Sequence, residues 1–128
     1  MTKVNIRYIV HDVEQSILFY TTHLGFEVQA HPAKPFAILS RGPLTLLLNQ
    51  PGAGGAGQPV SDGQRPEPGG WNRFQIEVED LAQTVDDLRK AGAVFRNEIV
   101  VGQGGKQILL EDPSRNPIEL FEPPRQER

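Results

Sequence analysis

One pattern constrains this chain more than any other: a strand, a capped helix start and an apolar helical stripe occur twice, 68 residues apart. Val4, Ile6, Tyr8 and Val10 alternate with Asn5, Arg7 and Ile9, the period of a strand with one apolar face, which predicts a strand over residues 4–10. Asp12 follows as a helix N-cap with Gln15 three positions on, a pairing that satisfies the orphan amides of a first turn. Val13, Ile17, Tyr20 and Leu24 then recur at helical spacing, and Gly25 supplies a left-handed stop. The second copy starts at Arg73. Phe74, Ile76 and Val78 alternate with Arg73, Gln75 and Glu77, Asp80 and Gln83 repeat the cap, Leu81, Val85 and Leu88 form the stripe, and Gly92 ends it.

Three short strand-like runs follow each helix: Phe26–His31, Phe36–Ser40 and Leu44–Asn49 in the first copy, then Val94–Val101, Lys106–Glu111 and Pro117–Glu122 in the second. The repeat predicts an α+β chain of two βαβββ modules, over residues 1–49 and 73–124, with a tail at 125–128. Residues 50–72 are dominated by Gly and Pro, which exclude a helix or a central strand, so the connection reads either as a flap or as a spacer. Trp71 at its end favours order, since a large ring is seldom left in solvent. Gly102, Gly104 and Gly105 predict a hairpin turn, and Asp112-Pro113 a second turn. Phe19, Leu24, Phe26, Leu88 and Leu120 are expected in the core.

Composition narrows the rest. With 128 residues the chain is long enough to bury a core of its own. It has no cysteine, which removes disulfides, thiolate nucleophiles and Cys-ligated zinc and suits a reducing, cytoplasmic setting. A net charge of -3, with both signs scattered, gives no footprint for nucleic acid. Lys3, Arg7, Asp12 and Glu14 near the start fit neither a signal peptide nor a membrane span.

Three segments resemble the vicinal oxygen chelate superfamily, the glyoxalase, bleomycin-resistance and dioxygenase group: Val10–Tyr20 with Leu24-Gly25-Phe26, Val78–Leu81 with Leu88–Gly92, and Glu111–Leu120. In the last, Arg115 stands where the family usually has glycine. The resemblance covers nearly the whole chain and implies curved mixed sheets around a central cavity, in which a divalent metal is held from the first and last strand of each module. The matching positions here are Asn5, Leu47, Arg73 and Glu119. Only Glu119 is a good donor, because Leu47 has no donor atom, Asn5 offers a weak amide oxygen and Arg73 brings a fixed positive charge. The expectation is therefore no cofactor, with a divalent metal as the alternative, and His11, His23 and His31 are read as turn or surface residues.

Alternation also aims Asn5, Arg7, Arg73, Gln75, Glu77, Glu119 and Phe121 away from the helices, joined by Asn49; with Leu47 these nine form the expected ligand-binding set. Arg73 is expected to pair with Glu119, since a lone buried charge costs several kcal/mol. Three roles stay open for that pair: an internal tie replacing a metal, a clamp in which Arg73 and Arg7 hold an oxygen-bearing ligand, or acid–base catalysis with Glu119 as base. A small-molecule ligand is the expected partner. The resemblance implies a homodimer. The expected function is binding of a small organic molecule in a metal-free polar cavity, and the rival readings are a metal-dependent or acid–base enzyme of lyase, isomerase or dioxygenase type and a non-catalytic dimerisation module.

Overall fold

The computed structural model describes residues 2–125. The tail expected at 125–128 lies, beyond Arg125, outside the described residues. Element order follows the repeat: β1 (Ile6–Ile9), α1 (Val13–His23), β2 (Glu27–Ala33), β3 (Phe36–Arg41) and β4 (Leu44–Asn49), then β5 (Gln75–Glu77), α2 (Leu81–Lys90), β6 (Val94–Phe95), β7 (Val100–Gly102), β8 (Gly105–Glu111) and β9 (Pro117–Glu122). Two compact units result. Among the described residues, one holds the chain from residue 2 to Gly69 together with Pro113–Arg115, and the other holds Gly70–Asp112 together with residues 116–125.

In the first unit the sheet order is β1-β4-β3-β2, with β1 parallel to β4 and the other pairings antiparallel. Tyr8 and Val10 turn inward with Leu46, Leu48, Ala37 and Leu39, and are buried together with Val13 and Tyr20 of α1. Val4 departs from the sequence reading: it precedes the strand and is 82% exposed, so the apolar face begins at Ile6. Phe19 is only half-buried, stacked edge-on against Tyr20 and His23. The Asp12 carboxylate caps α1 by accepting the Gln15 amide at 3.1 Å, and the Gln50 side chain accepts the amide of Val13 at 3.0 Å. Gly25 takes the expected positive φ of 71°.

The second unit repeats the plan, with sheet order β5-β9-β8-β6 and β7 continuing along β8. Ile76, Ile108, Leu110, Ile118 and Leu120 are buried along with Leu81, Val85 and Leu88 of α2; side chains of this size contribute about 1.5–3 kcal/mol each on full burial. Asp80 caps α2 through the Gln83 amide at 3.0 Å, and the Glu122 carboxylate accepts the Leu81 amide at 2.8 Å. The run Val94–Val101 is not one strand. The Asn97 side chain accepts the Leu109 amide at 2.9 Å in place of a main-chain carbonyl, and the register slips between Phe95↔Leu110 and Val100↔Gln107. A bulge therefore separates β6 from β7.

The Gly- and Pro-rich connection carries no helix or strand but is tightly turned at its start. Gly57 donates to Ala53 O at 2.9 Å, and a Cβ on Gly57 would lie 2.4 Å from Ala53 N, so only glycine closes this turn. Trp71 is not withdrawn from solvent as a large ring is expected to be: it is 68% exposed, with the Arg96 guanidinium 4.8 Å from its ring centre. The Asp112–Asn116 turn closes without the family's glycine. Asp112 accepts the Asn116 main-chain and side-chain N–H at 2.9 and 3.0 Å, while Arg115 takes a left-handed φ of 66°.

Candidate functional site

In the second unit Gln75 lies opposite Glu119, and Glu77 opposite Phe121, across the parallel β5–β9 pair. Because Ile76, Ile118 and Leu120 are buried on the α2 side, these four side chains share the other face. Glu119 is only 8% exposed. Arg73, two residues before Gln75, donates to its Oε1 from Nε at 3.1 Å and from Nη2 at 2.9 Å, and Gln75 Nε2 donates to Oε2 at 2.6 Å. Both carboxylate oxygens are thus engaged, in the Arg73–Glu119 partnership anticipated from the sequence. Arg73 also reaches Trp71 O at 3.2 Å through Nη1, fixing the guanidinium at three points. Glu77 is exposed on the same face and Phe121 is half-buried.

In the first unit the equivalent β1–β4 pair places Arg7 opposite Leu47 and Ile9 opposite Asn49. Leu47, half-buried, occupies the strand position that Glu119 holds in the second module. Asn49 is buried, and its Oδ1 accepts a hydrogen bond from Arg7 Nη1 while its Nδ2 donates to Ala53 O at 3.4 Å. Asn5 stands exposed ahead of β1. The nine residues singled out from the sequence thus gather as Arg7 with Leu47 and Asn49, and as Arg73 with Gln75, Glu77, Glu119 and Phe121, with Asn5 outside both groups.

Sequence reasoning missed what surrounds Phe121. Gln107 lies opposite it on β8, and Gly105 is so close that a Cβ there would fall 2.8 Å from the ring. The signal was a glycine that opens a strand instead of merely turning a hairpin. It also missed the part-buried ion pair of Arg96 Nε with Glu111 at 2.9 Å, whose guanidinium donates to Gly70 O at 2.6 Å.

Comparison with known proteins settles the family. The model of the Glyoxalase/Bleomycin resistance protein/Dioxygenase superfamily matches residues 4–120. The chain belongs to this superfamily. No curated protein matches the sequence. Among solved structures, a lactoylglutathione lyase from Agrobacterium tumefaciens superposes with a TM-score of 0.73 at 17% identity, over 94% of this chain and 92% of that one. A superfamily member from Sphaerobacter thermophilus DSM 20745 gives 0.72 at 22% identity, over 95% and 97%. The genomically encoded fosfomycin resistance protein of Listeria monocytogenes gives 0.68 at 16% identity, over 100% and 95%. At these identities the likeness concerns the fold, an α+β architecture with curved mixed sheets.

Members of the glyoxalase superfamily often use a divalent metal, so the donor set deserves a chemical test. Such an ion needs free carboxylate, imidazole or thiolate donors. Glu119 is the one carboxylate among the four family positions, and its oxygens already accept three hydrogen bonds. Leu47 contributes carbon, and Arg73 puts a permanent cation on the same carboxylate at 2.9 Å. Among the described residues no three His, Asp or Glu side chains gather closely enough to hold a metal. The residues at the superfamily's metal positions do not fit a divalent cation. No helix among the described residues is long and apolar enough to cross a membrane.

Proposed function

We propose that this glyoxalase-superfamily chain binds a small organic molecule through a carbonyl, carboxylate, phosphate or phenolate oxygen placed at Arg73, without a resident divalent metal. The observation that carries the reading is the fixed but unsaturated guanidinium. Arginine has five N–H donors; three are used on Glu119 and Trp71 O, and the side chain remains 30% exposed. The free donors sit where the superfamily would place a metal and offer a similar service, a localised positive charge for an oxygen lone pair. Glu119 supplies the acceptor that fixes the arginine, and Glu77 offers a further acceptor for a ligand N–H or O–H. Arg7, held by Asn49, is a second guanidinium of the same kind in the first module. The structural neighbours include a lactoylglutathione lyase and a fosfomycin resistance protein, both named for small organic molecules. A homodimer in the cytoplasm belongs to the same reading.

Native mass spectrometry of the purified protein with Zn, Ni, Mn and Fe(II) added in turn tests the metal-free reading and gives the oligomeric state. The expected spectrum shows no stoichiometric metal adduct. A stoichiometric adduct that Glu119→Ala removes overturns the proposal. In parallel, titration with benzoate and inorganic phosphate should show binding that Arg73→Ala weakens about tenfold or more, as for loss of a charge-assisted hydrogen bond; equal affinity in the variant removes Arg73 from the site.

A further inference from the structure

The face that carries Glu119 continues along β9 into a depression of about 170 Å³, lined by Val100, Gly102, Gly104, Gly105, Gln107 and Phe121. Pairing puts it on that face: Gln107 is opposite Phe121, Val100 opposite Gln107 and Gly102 opposite Gly105. Phe121 follows Glu119 by two strand positions, so the depression starts roughly 7 Å from the carboxylate. Two kinds of glycine shape it. Gly105 cannot carry a side chain, because its Cβ would meet Glu122 O at 2.5 Å and the Phe121 ring at 2.8 and 2.9 Å. The ring therefore lies against bare main chain and forms one wall. At Gly102 an added Cβ would meet only Gly105 O at 3.9 Å, and at Gly104 nothing within 4 Å, so the space there is open instead of forbidden. Neither has a positive φ.

We propose that this depression is the apolar subsite of the binding face, taking an aliphatic chain or small ring of the ligand whose oxygen Arg73 holds. The inference rests on the proposed oxygen-binding role of Arg73. The occupant is part of a small ligand because the volume admits only about five or six water-sized groups, and because the depression adjoins the polar cluster on one strand. Phe121 and Val100 supply its apolar surface, and Gln107 its polar margin. The substrate class is then a small amphipathic molecule with an oxygen-bearing head, acidic or carbonyl, and a short apolar tail.

The test is a titration of the intact protein with straight-chain carboxylates from acetate to octanoate and with 1-alkanols of equal length, followed by amide NMR shifts of Gly102, Gly104, Gly105 and Phe121. In the wild type, affinity should rise up to about fourfold per added methylene until the depression is full, with shifts at these amides appearing only for the longer acids. Gly102→Val, whose Cβ would make only an ordinary contact of 3.9 Å with Gly105 O, should move the plateau to shorter acids; Gly104→Ala, from the turn, should do so more weakly and serves if the first variant folds poorly. Affinity independent of chain length, or a plateau unmoved by both variants, overturns the subsite. Acids that bind no better than alkanols, while both still shift Gly102–Gly105, remove the role of Arg73 and leave the subsite standing.

Discussion

The two modules share a frame and differ on its open face. In each, the last strand runs parallel to the first, a buried leucine (Leu48, Leu120) faces the helix side, and an Asp caps the helix. Even the side chain just past or at the end of the last strand repeats its task, with Gln50 accepting the Val13 amide and Glu122 the Leu81 amide. On the open face the copies diverge, since Leu47 and Glu119 occupy equivalent positions and only the second can fix an arginine. The difference separates two pressures. Burial and orphan amides hold the frame to few residue types, whereas a half-exposed face tolerates carbon in one copy and a carboxylate in the other.

The largest effects should come from the shared frame. Leu48→Ala and Leu120→Ala should each lose about 2–5 kcal/mol in urea unfolding, by lost burial and a residual cavity; a cost confined to one of them would break the equivalence of the modules. Next is Glu119→Leu, which gives the second module the first module's residue. It leaves Arg73 and Gln75 without their acceptor and should cost about 1–3 kcal/mol, measured in the same way, together with changed benzoate affinity.

A smaller effect isolates the Asp112–Asn116 turn, where the second module has Arg115 in a left-handed conformation. Arg115→Gly and Arg115→Ala both remove the side chain, so their difference reports the backbone, and the glycine variant should be more stable by about 1 kcal/mol. Smallest is the exchange of helix-end acceptors. Gln50→Glu should stabilise by about 0.3–1 kcal/mol at low salt by placing charge at the start of α1, and Glu122→Gln should lose a similar amount; equal stabilities at low and high salt would refute a dipole origin.

The frame was legible in the sequence because its signals are local. Asp12 with Gln15 and Asp80 with Gln83 announce helix starts within four residues, and the inward stripes have fixed periods. Pairing of Arg73 with Glu119 was legible through the repeat, which put both on one face. What was not legible depends on distant partners. The break between β6 and β7 comes from Asn97 reaching the Leu109 amide, and the partner of the Trp71 ring is the distant Arg96. Val4 failed for a simpler reason, since alternation says which side a residue faces but not where a strand begins. The depression beside Phe121 was hidden because glycines in a hairpin read first as a turn.

The tight turn at Gly57 reaches further than the connection it belongs to. By holding Ala53 O toward Asn49, it decides which end of that buried amide faces the sheet, and the oxygen is left for Arg7. Were the amide reversed, its NH2 group would confront a guanidinium, donor against donor. The sign of the dipole that Arg7 meets is thus written in a loop of glycines, and the loop works as an orienting bracket whose reshaping would re-aim a cation it never touches.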